Sequence, residues 1–341
     1  MKKIDLNNKT ILVTGSAGFI GSYLVERLCK EYKVKVIGID NLNDYYDIKL
    51  KKYRLNKLLT FENFKFIKGD IADKELIQGI FEEYKPNIVV NLAAQAGVRY
   101  SIENPDIYIN TNIIGFYNIL EAIRNNPVEH FVYASSSSIY GDDVTPYLEE
   151  ANTDRPVSLY GATKKCDEVL AYSYSKMYNI PSTGLRFFTV YGPLGRPDMA
   201  YFSFTNKLIN KEKIKIYNYG KCKRDFTYID DIVEGIIRVM MGSPDSSIPH
   251  NIYNIGNSES IELLDFISIL EEELIKAELL PEDYNFESYK ELIPMQKGDV
   301  VETYSDTTKL EKDYGFRPNT SIREGLKKFI EWYKEYNKKD I

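Results

Sequence analysis

The sequence predicts an α/β protein built on a doubly wound parallel sheet, with a second, smaller C-terminal α/β domain. Three observations support this. Short β-branched apolar runs recur through the first half, stretches with helical spacing separate them, and the first run empties into a glycine turn. The runs are residues 10–14 (TILVT), 33–39 (KVKVIGI), 65–69 (KFIKG), 87–93 (NIVVNLA), 130–135 (HFVYAS) and 182–188 (STGLRFF). Predominantly apolar runs of this length fit strands buried on both faces, as in a parallel sheet covered by helices. GFIGSYLVERLCKEY, KELIQGIFEEY, INTNIIGFYNILEAIRN and YGATKKCDEVLAYSYSKMY lie between them and read as helices. After about residue 190 the pattern becomes irregular. A Gly- and Pro-rich stretch (YGPLGRPD), a short amphipathic helix, a strand KIKIYN, a helix DDIVEGIIRVM and a strand NIYNIG follow. The last helix–strand pair again resembles sheet material. The expected division is therefore residues 1–189 and 190–341, with 228–256 returning to the first unit.

Composition narrows the function. The 341 residues contain 43% hydrophobic and 13% aromatic residues, enough for a substantial core. The 44 Lys and Arg against 50 Asp and Glu give a net charge of -6 with interspersed signs, which argues against nucleic acid as a partner. No run is long enough to span a bilayer, and the opening MKKIDLNNKT lacks the apolar stretch of an export signal. Three cysteines without C-x-x-C spacing fit reduced thiols in a cytoplasm, and with only 2 histidines no metal site is expected.

The glycine turn reads Thr14-Gly15-Ser16-Ala17-Gly18-Phe19-Ile20-Gly21 between strand and amphipathic helix, the context in which backbone amides and a helix N-terminus hold a pyrophosphate. This makes the sheet Rossmann-like. Ser16 stands where the commoner motif has its second glycine. About twenty residues on, the second strand ends in Asp40-Asn41, where a carboxylate can accept from both hydroxyls of an adenosine ribose and repel a 2′-phosphate, favouring NAD over NADP. Asp70-Ile71 after the third strand is placed to hold the adenine. Leu92-Ala93-Ala94 after the fourth is placed to pass under the cofactor.

The chemical residues come next. The fifth strand ends in Ser135-Ser136-Ser137-Ser138, and Tyr160 and Lys164 fall at i, i+4 on one helix face. A phenol loses its proton near pH 10, and a neighbouring ammonium and an oxidised nicotinamide both favour the phenolate. Tyr160 can then accept a hydroxyl proton while the same carbon loses hydride, with a serine hydroxyl bridging substrate oxygen and phenolate.

From TGSAGFIGSYL through NLAAQAGVRYS, YASSSSIYG, SLYGATKK, LRFFTVYGP and RDFTYIDDI, the chain resembles the extended short-chain dehydrogenase/reductases, the nucleotide-sugar epimerases and dehydratases. DNLNDYYDIKLKKYRL, YGPLGRPDMAYFSFT and MQKGDVVETYSDT are similar to UDP-glucuronate 4-epimerases. The resemblance implies NAD on the first domain and a UDP-sugar on the smaller C-terminal α/β substrate domain. It implies Ser136 as the catalytic hydroxyl, Tyr160 as base and Lys164 as its electrostatic partner. Asn43 and Asn112 join the cofactor side, and Phe187 and Val190 flank the nicotinamide. Ser137, Ser138 and Thr189, with Arg99 or Arg196, are expected to face a sugar carboxylate. Arg224 and Asp299 are expected to hold the diphosphate and a nucleotide hydroxyl. Arg99 and Arg196 fit a surface or interdomain salt bridge equally well, and Asp299 fits a turn cap. The implied reaction is 4-epimerisation of UDP-glucuronate through a 4-keto sugar. A UDP-glucose or UDP-N-acetylglucosamine 4-epimerase and a UDP-glucuronate decarboxylase are the alternatives, the latter disfavoured by Ser138 where such enzymes carry Glu. A protein that senses a dinucleotide without catalysis would be expected to lack Tyr160 or Lys164. Apolar stripes on helices 107–125 and 159–178 predict a homodimer through a four-helix contact.

Overall fold

A computed structural model describes residues 1–338. Seven parallel strands form the main sheet: β1 (Thr10–Thr14), β2 (Lys35–Asp40), β3 (Phe64–Lys68), β4 (Ile88–Asn91), β5 (His130–Ser136), β6 (Ser182–Phe187) and, after an excursion of the chain, a last strand at His250–Ile255. From one edge the order is β3-β2-β1-β4-β5-β6 and then His250–Ile255. The chain runs from β1 to one edge through β3, then returns to the other side of β1 with β4. The carboxyl ends of β1 and β4 therefore diverge around a crevice, the usual ligand position in such sheets.

Helices cover both faces because the strands are apolar on both. Helix α1 (Phe19–Glu31) follows β1, α2 (Ile48–Leu58) follows β2 and α3 (Lys74–Tyr84) follows β3. Side chains from α1 and α2, including Leu24, Leu28, Leu50 and Leu55, share one core with Ile11, Val13 and Val36 of the sheet. On the opposite face, Ile77 and Phe81 of α3 meet Leu12, Ile37 and Val89. Phe116, Ile119 and Leu120 of α4 (Phe116–Asn125) and Ala171 of α5 (Leu159–Tyr178) belong to this second core.

The stretch expected as one helix over 107–125 is interrupted by a π-helical turn, Ile109–Gly115. Gly115 there lies so close to the β3–α3 connection that an added Cβ would come within 2.5 Å of Ile71 Cγ1. Beyond β6 the chain forms β7 (Thr189–Tyr191) and β8 (Lys223–Tyr228), which pair in parallel; Ser260–Glu262 pairs antiparallel to β8. Helix Leu263–Lys276 packs on this small sheet, with Phe226 and Phe266 rings stacked at 4.6 Å, and on the C-terminal helix Ile322–Lys338. Among the described residues no helix is long and apolar enough to cross a membrane, and no cluster of three metal-ligating side chains occurs.

Candidate active site

One cleft opens over the carboxyl ends of β1, β2 and β4–β6. Its floor is the glycine turn. Gly15 has φ +68, and an added Cβ would approach Ala93 N to 2.8 Å; at Gly21 it would stand 2.1 Å from Gly15 O. Side chains at these positions would separate the turn from the β4 loop or from its own helix, so glycine is what lets three backbone segments meet. Helix α1 starts at Gly18 without a side-chain cap. Its first amides are thus left for an incoming anion, with the positive end of the helix behind them.

At the end of β2, Asp40 Oδ2 accepts from Ala17 N at 3.1 Å and Oδ1 from Leu42 N at 2.8 Å. Each oxygen keeps a lone pair for a ribose hydroxyl. Asn41 Nδ2 donates to Asp70 Oδ2 at 2.9 Å, linking the ends of β2 and β3. Lys51 donates to Asn43 O at 2.8 Å and Oδ1 at 2.6 Å, fixing the loop between β2 and α2. The turn's geometry, its uncapped helix and the acceptor pair on Asp40 fit a dinucleotide.

Asn112 sits one layer below. From the π-helical turn its Oδ1 accepts Gln95 N at 2.8 Å, and its Nδ2 donates to Gln95 O at 3.1 Å and to Thr163 Oγ1 at 3.0 Å. It thereby ties the β4 loop, which lines the cleft, to α5.

Helix α5 bears Tyr160 and Lys164. Ser158 caps it, its Oγ accepting from Gly161 N at 3.0 Å. Gly161 packs against the strand-end turn so tightly that a Cβ would meet Ser138 O at 2.5 Å. Tyr160 and Ser136 both stand on the cleft wall. Ser136 Oγ accepts from Ser138 N at 3.1 Å, which leaves the hydroxyl proton for another acceptor. The Tyr160 ring packs edge-on against Tyr108, centroids 6.2 Å apart. Lys164, only 2% exposed, donates to Ala134 O at 3.0 Å and Asp167 Oδ2 at 3.1 Å. Burial pushes the Asp167 carboxyl up to about 7, against the pull of Lys164. Next to it, Glu168 holds Arg186 through two bonds of 2.8 and 2.9 Å and accepts from Ser135 Oγ at 2.7 Å.

The cleft is lined by Gly15, Gly18, Phe19, Ile20, Gly21, Asp40, Asn41, Asn43, Asp70, Ile71, Leu92, Ala93, Ala94, Ser136, Tyr160, Lys164, Phe187, Val190 and Arg196. Ser137, Ser138, Thr189, Arg99, Arg224 and Asp299 lie outside this lining. Arg196 is paired with Asp198, its Nε donating at 3.0 Å and Nη2 at 2.5 Å, and Tyr45 donates to the same carboxylate at 3.1 Å. Asp299 stands between two arginines, accepting from Arg224 at 2.6 Å and lying 3.9 Å from the exposed Arg99.

Sequence reasoning did not single out Arg54, Lys51, Tyr45, Gln95 or Met199. Arg54, 1% exposed, donates to Ala17 O at 3.2 Å and to Leu194 O and Gly195 O at 2.5–3.1 Å, clamping the glycine turn to the YGPLGRPD loop. Its signal was the motif DNLNDYYDIKLKKYRL, in which a buried arginine looks like any solvated one.

Fold and cleft together define a doubly wound α/β protein with a dinucleotide cleft and a Tyr–Lys pair on its wall. The chain belongs to the NAD dependent epimerase/dehydratase family, whose profile matches residues 11–256. It is 47% identical over 344 aligned residues to Protein CapI of Staphylococcus aureus, covering 96% of this chain and 99% of that one. It is 42% identical to UDP-glucuronate 4-epimerase 4 of Arabidopsis thaliana, covering 97% of this chain and 76% of that protein. The crystal structure of UDP-glucuronic acid 4-epimerase from Bacillus cereus, in complex with UDP-glucuronic acid and NAD, superposes with a TM-score of 0.87 at 32% identity, covering 96% of this chain and 99% of the other.

Proposed function

We propose that this chain is an NAD-dependent UDP-glucuronate 4-epimerase. The observation that carries the reading is the convergence of Ser136, Tyr160 and Lys164 on a dinucleotide cleft. The likeness along nearly the whole chain to proteins named for this activity supports the substrate. NAD, when bound, takes hydride from C4 of the sugar and returns it to the opposite face. Tyr160 accepts the C4 hydroxyl proton, Lys164 favours the phenolate, and Ser136 donates to the C4 oxygen as charge shifts there. The 4-keto sugar turns about its diphosphate linkage, and Tyr160 gives the proton back.

A ketone at C4 lies β to the C6 carboxylate, so the intermediate can lose carbon dioxide unless the carboxylate is held. Ser137, Ser138 and Thr189, half-buried at the strand ends of β5 and β7, are assigned that task. Arg224, oriented by Asp299, is assigned the diphosphate, and Asp299 a nucleotide hydroxyl as well. Arg196, on the cleft wall, is held there by Asp198.

On this reading residues 1–189 form the NAD domain and 190–341 the UDP-sugar domain, with 228–256 returning to the first. Ile114, Tyr117, Val169 and Tyr172 are exposed on the π-helical turn, α4 and α5, which supports a homodimer through these helices. A monomeric mass by light scattering would refute it. The free cysteines Cys29, Cys166 and Cys222 support a cytoplasmic setting.

Proton NMR of the protein with UDP-glucuronate and NAD tests the reaction. UDP-galacturonate accumulating to a fixed ratio is expected. UDP-pentose would mean decarboxylation, and turnover of UDP-glucose or UDP-N-acetylglucosamine alone would move the substrate to a neutral hexose.

A further inference from the structure

Lys164 lies one turn from Tyr160 in the cleft wall, yet its ammonium does not act as an isolated charge. Behind it, one turn further along α5, is the Asp167 carboxyl, 1% exposed in its side chain and 3.1 Å from Nζ. Asp167 Oδ1 is buried with no hydrogen-bond partner. An ionised carboxylate with one buried oxygen lacking a protein partner is poorly stabilised, so this carboxyl keeps its proton to a higher pH than an ordinary one and ionises only as pH rises.

The surroundings do not favour a second negative charge. Glu168 on the same helix already commits its carboxylate to Arg186 of β6 and Ser135 of β5. Burial raises Tyr133 of β5 and Cys166, with the Glu168 and Asp167 carboxylates adding to the first and Asp167 to the second, and Tyr133 passes its hydroxyl contact to His250. The one cation in contact with Asp167 among the described residues is Lys164.

We propose that Asp167 is a positioning residue for the Tyr160–Lys164 pair, its carboxyl setting how much positive charge the buried ammonium presents to the phenol and so the pH at which the phenolate forms. With the carboxyl protonated, Lys164 acts on Tyr160 with its full charge. With it ionised, the two charges largely cancel toward the cleft and the phenol holds its proton more tightly. The pair is thus a charge valve that opens on the acid side, where the base is otherwise hardest to ionise. Glu168 does not play this part, since Arg186 already neutralises it.

The inference rests on Tyr160 being the base but not on the identity of the sugar, so its test reads the phenol directly. Protein labelled with 13C at Tyr Cζ is titrated with NAD bound, the Tyr160 resonance being the one lost in Tyr160→Phe. In Asp167→Asn, which keeps the shape of the side chain without the charge, the Tyr160 midpoint is expected to fall by roughly 0.5–1 pH unit, a ~3- to 10-fold rise in phenolate at a fixed pH below it. Asp167→Ser, smaller and also neutral, is expected to shift it the same way. The acid limb of turnover on UDP-glucuronate is expected to move with the resonance. A midpoint that stays put or rises in both variants overturns the inference. A shifted midpoint in a protein that turns over no UDP-glucuronate supports it while sinking the substrate assignment.

Discussion

Asn112 Nδ2 donates to Thr163 Oγ1 at 3.0 Å, joining the π-helical turn to the helix that bears Tyr160 and Lys164. The same side chain holds both backbone groups of Gln95. Asn112→Ala leaves a buried amide and a buried carbonyl without partners, at about 1–3 kcal/mol for such groups. A denaturant midpoint lowered by roughly that energy, together with weaker NAD binding by calorimetry, is expected. Unchanged NAD affinity would mean that the β4 loop holds its shape without Asn112.

Gly21→Ala tests the floor of the cleft. Its Cβ would stand 2.1 Å from Gly15 O, a backbone atom that cannot rotate away. Helix and turn must separate, so NAD affinity is expected to fall at least ~10-fold, with a stability loss of about 1–3 kcal/mol. Full NAD affinity in a folded Gly21→Ala protein would show that the turn opens without consequence.

Much of the fold was legible because burial on both faces leaves a simple mark. The run 10–14 is β1, and the expected strands at 130–135 and 182–188 differ from β5 and β6 by one residue at a boundary. The run 87–93 read too long, since only Ile88–Asn91 pairs and the next residues leave the sheet to line the cleft. The π-helical turn was illegible. It depends on Asn112 reaching Gln95 and on Gly115 touching Ile71, contacts far apart in the chain. Lys51 and Arg54 were missed for the same reason. Their partners are loop carbonyls, an Asn and the Tyr46 hydroxyl, and for Arg54 the carbonyls of Leu194 and Gly195 lie in a segment that no local pattern connects to α2. The Tyr–Lys spacing was visible, whereas the Lys164–Asp167 pair emerges only once the helix is known to bury that face.

Tyr160→Phe removes one oxygen from a ring whose position is held by Tyr108 and the helix. NAD and UDP binding are expected to persist, and kcat to fall about 100- to 10,000-fold, the range lost with a positioned acid–base group. Binding and turnover should be measured on the same preparation. Undiminished kcat would remove Tyr160 from the proton transfer and shift attention to Ser136.

Acid stability depends on His130 at the start of β5. It is fully buried, with Nε2 2.8 Å from Thr183 Oγ1, and burial pushes its imidazole from the ordinary 6.5 down to about 4. Between those values the unfolded chain binds a proton that the native protein refuses, so stability is complete above pH 6.5 and is lost as pH falls toward 4. The loss is on the order of 3 kcal/mol from this residue. His130→Gln keeps a polar group near Thr183 but cannot gain the charge. Its stability, measured by urea unfolding at about pH 7 and about pH 5, is expected to fall less over that interval than that of the wild type. Equal losses in the two proteins would assign the acid sensitivity elsewhere.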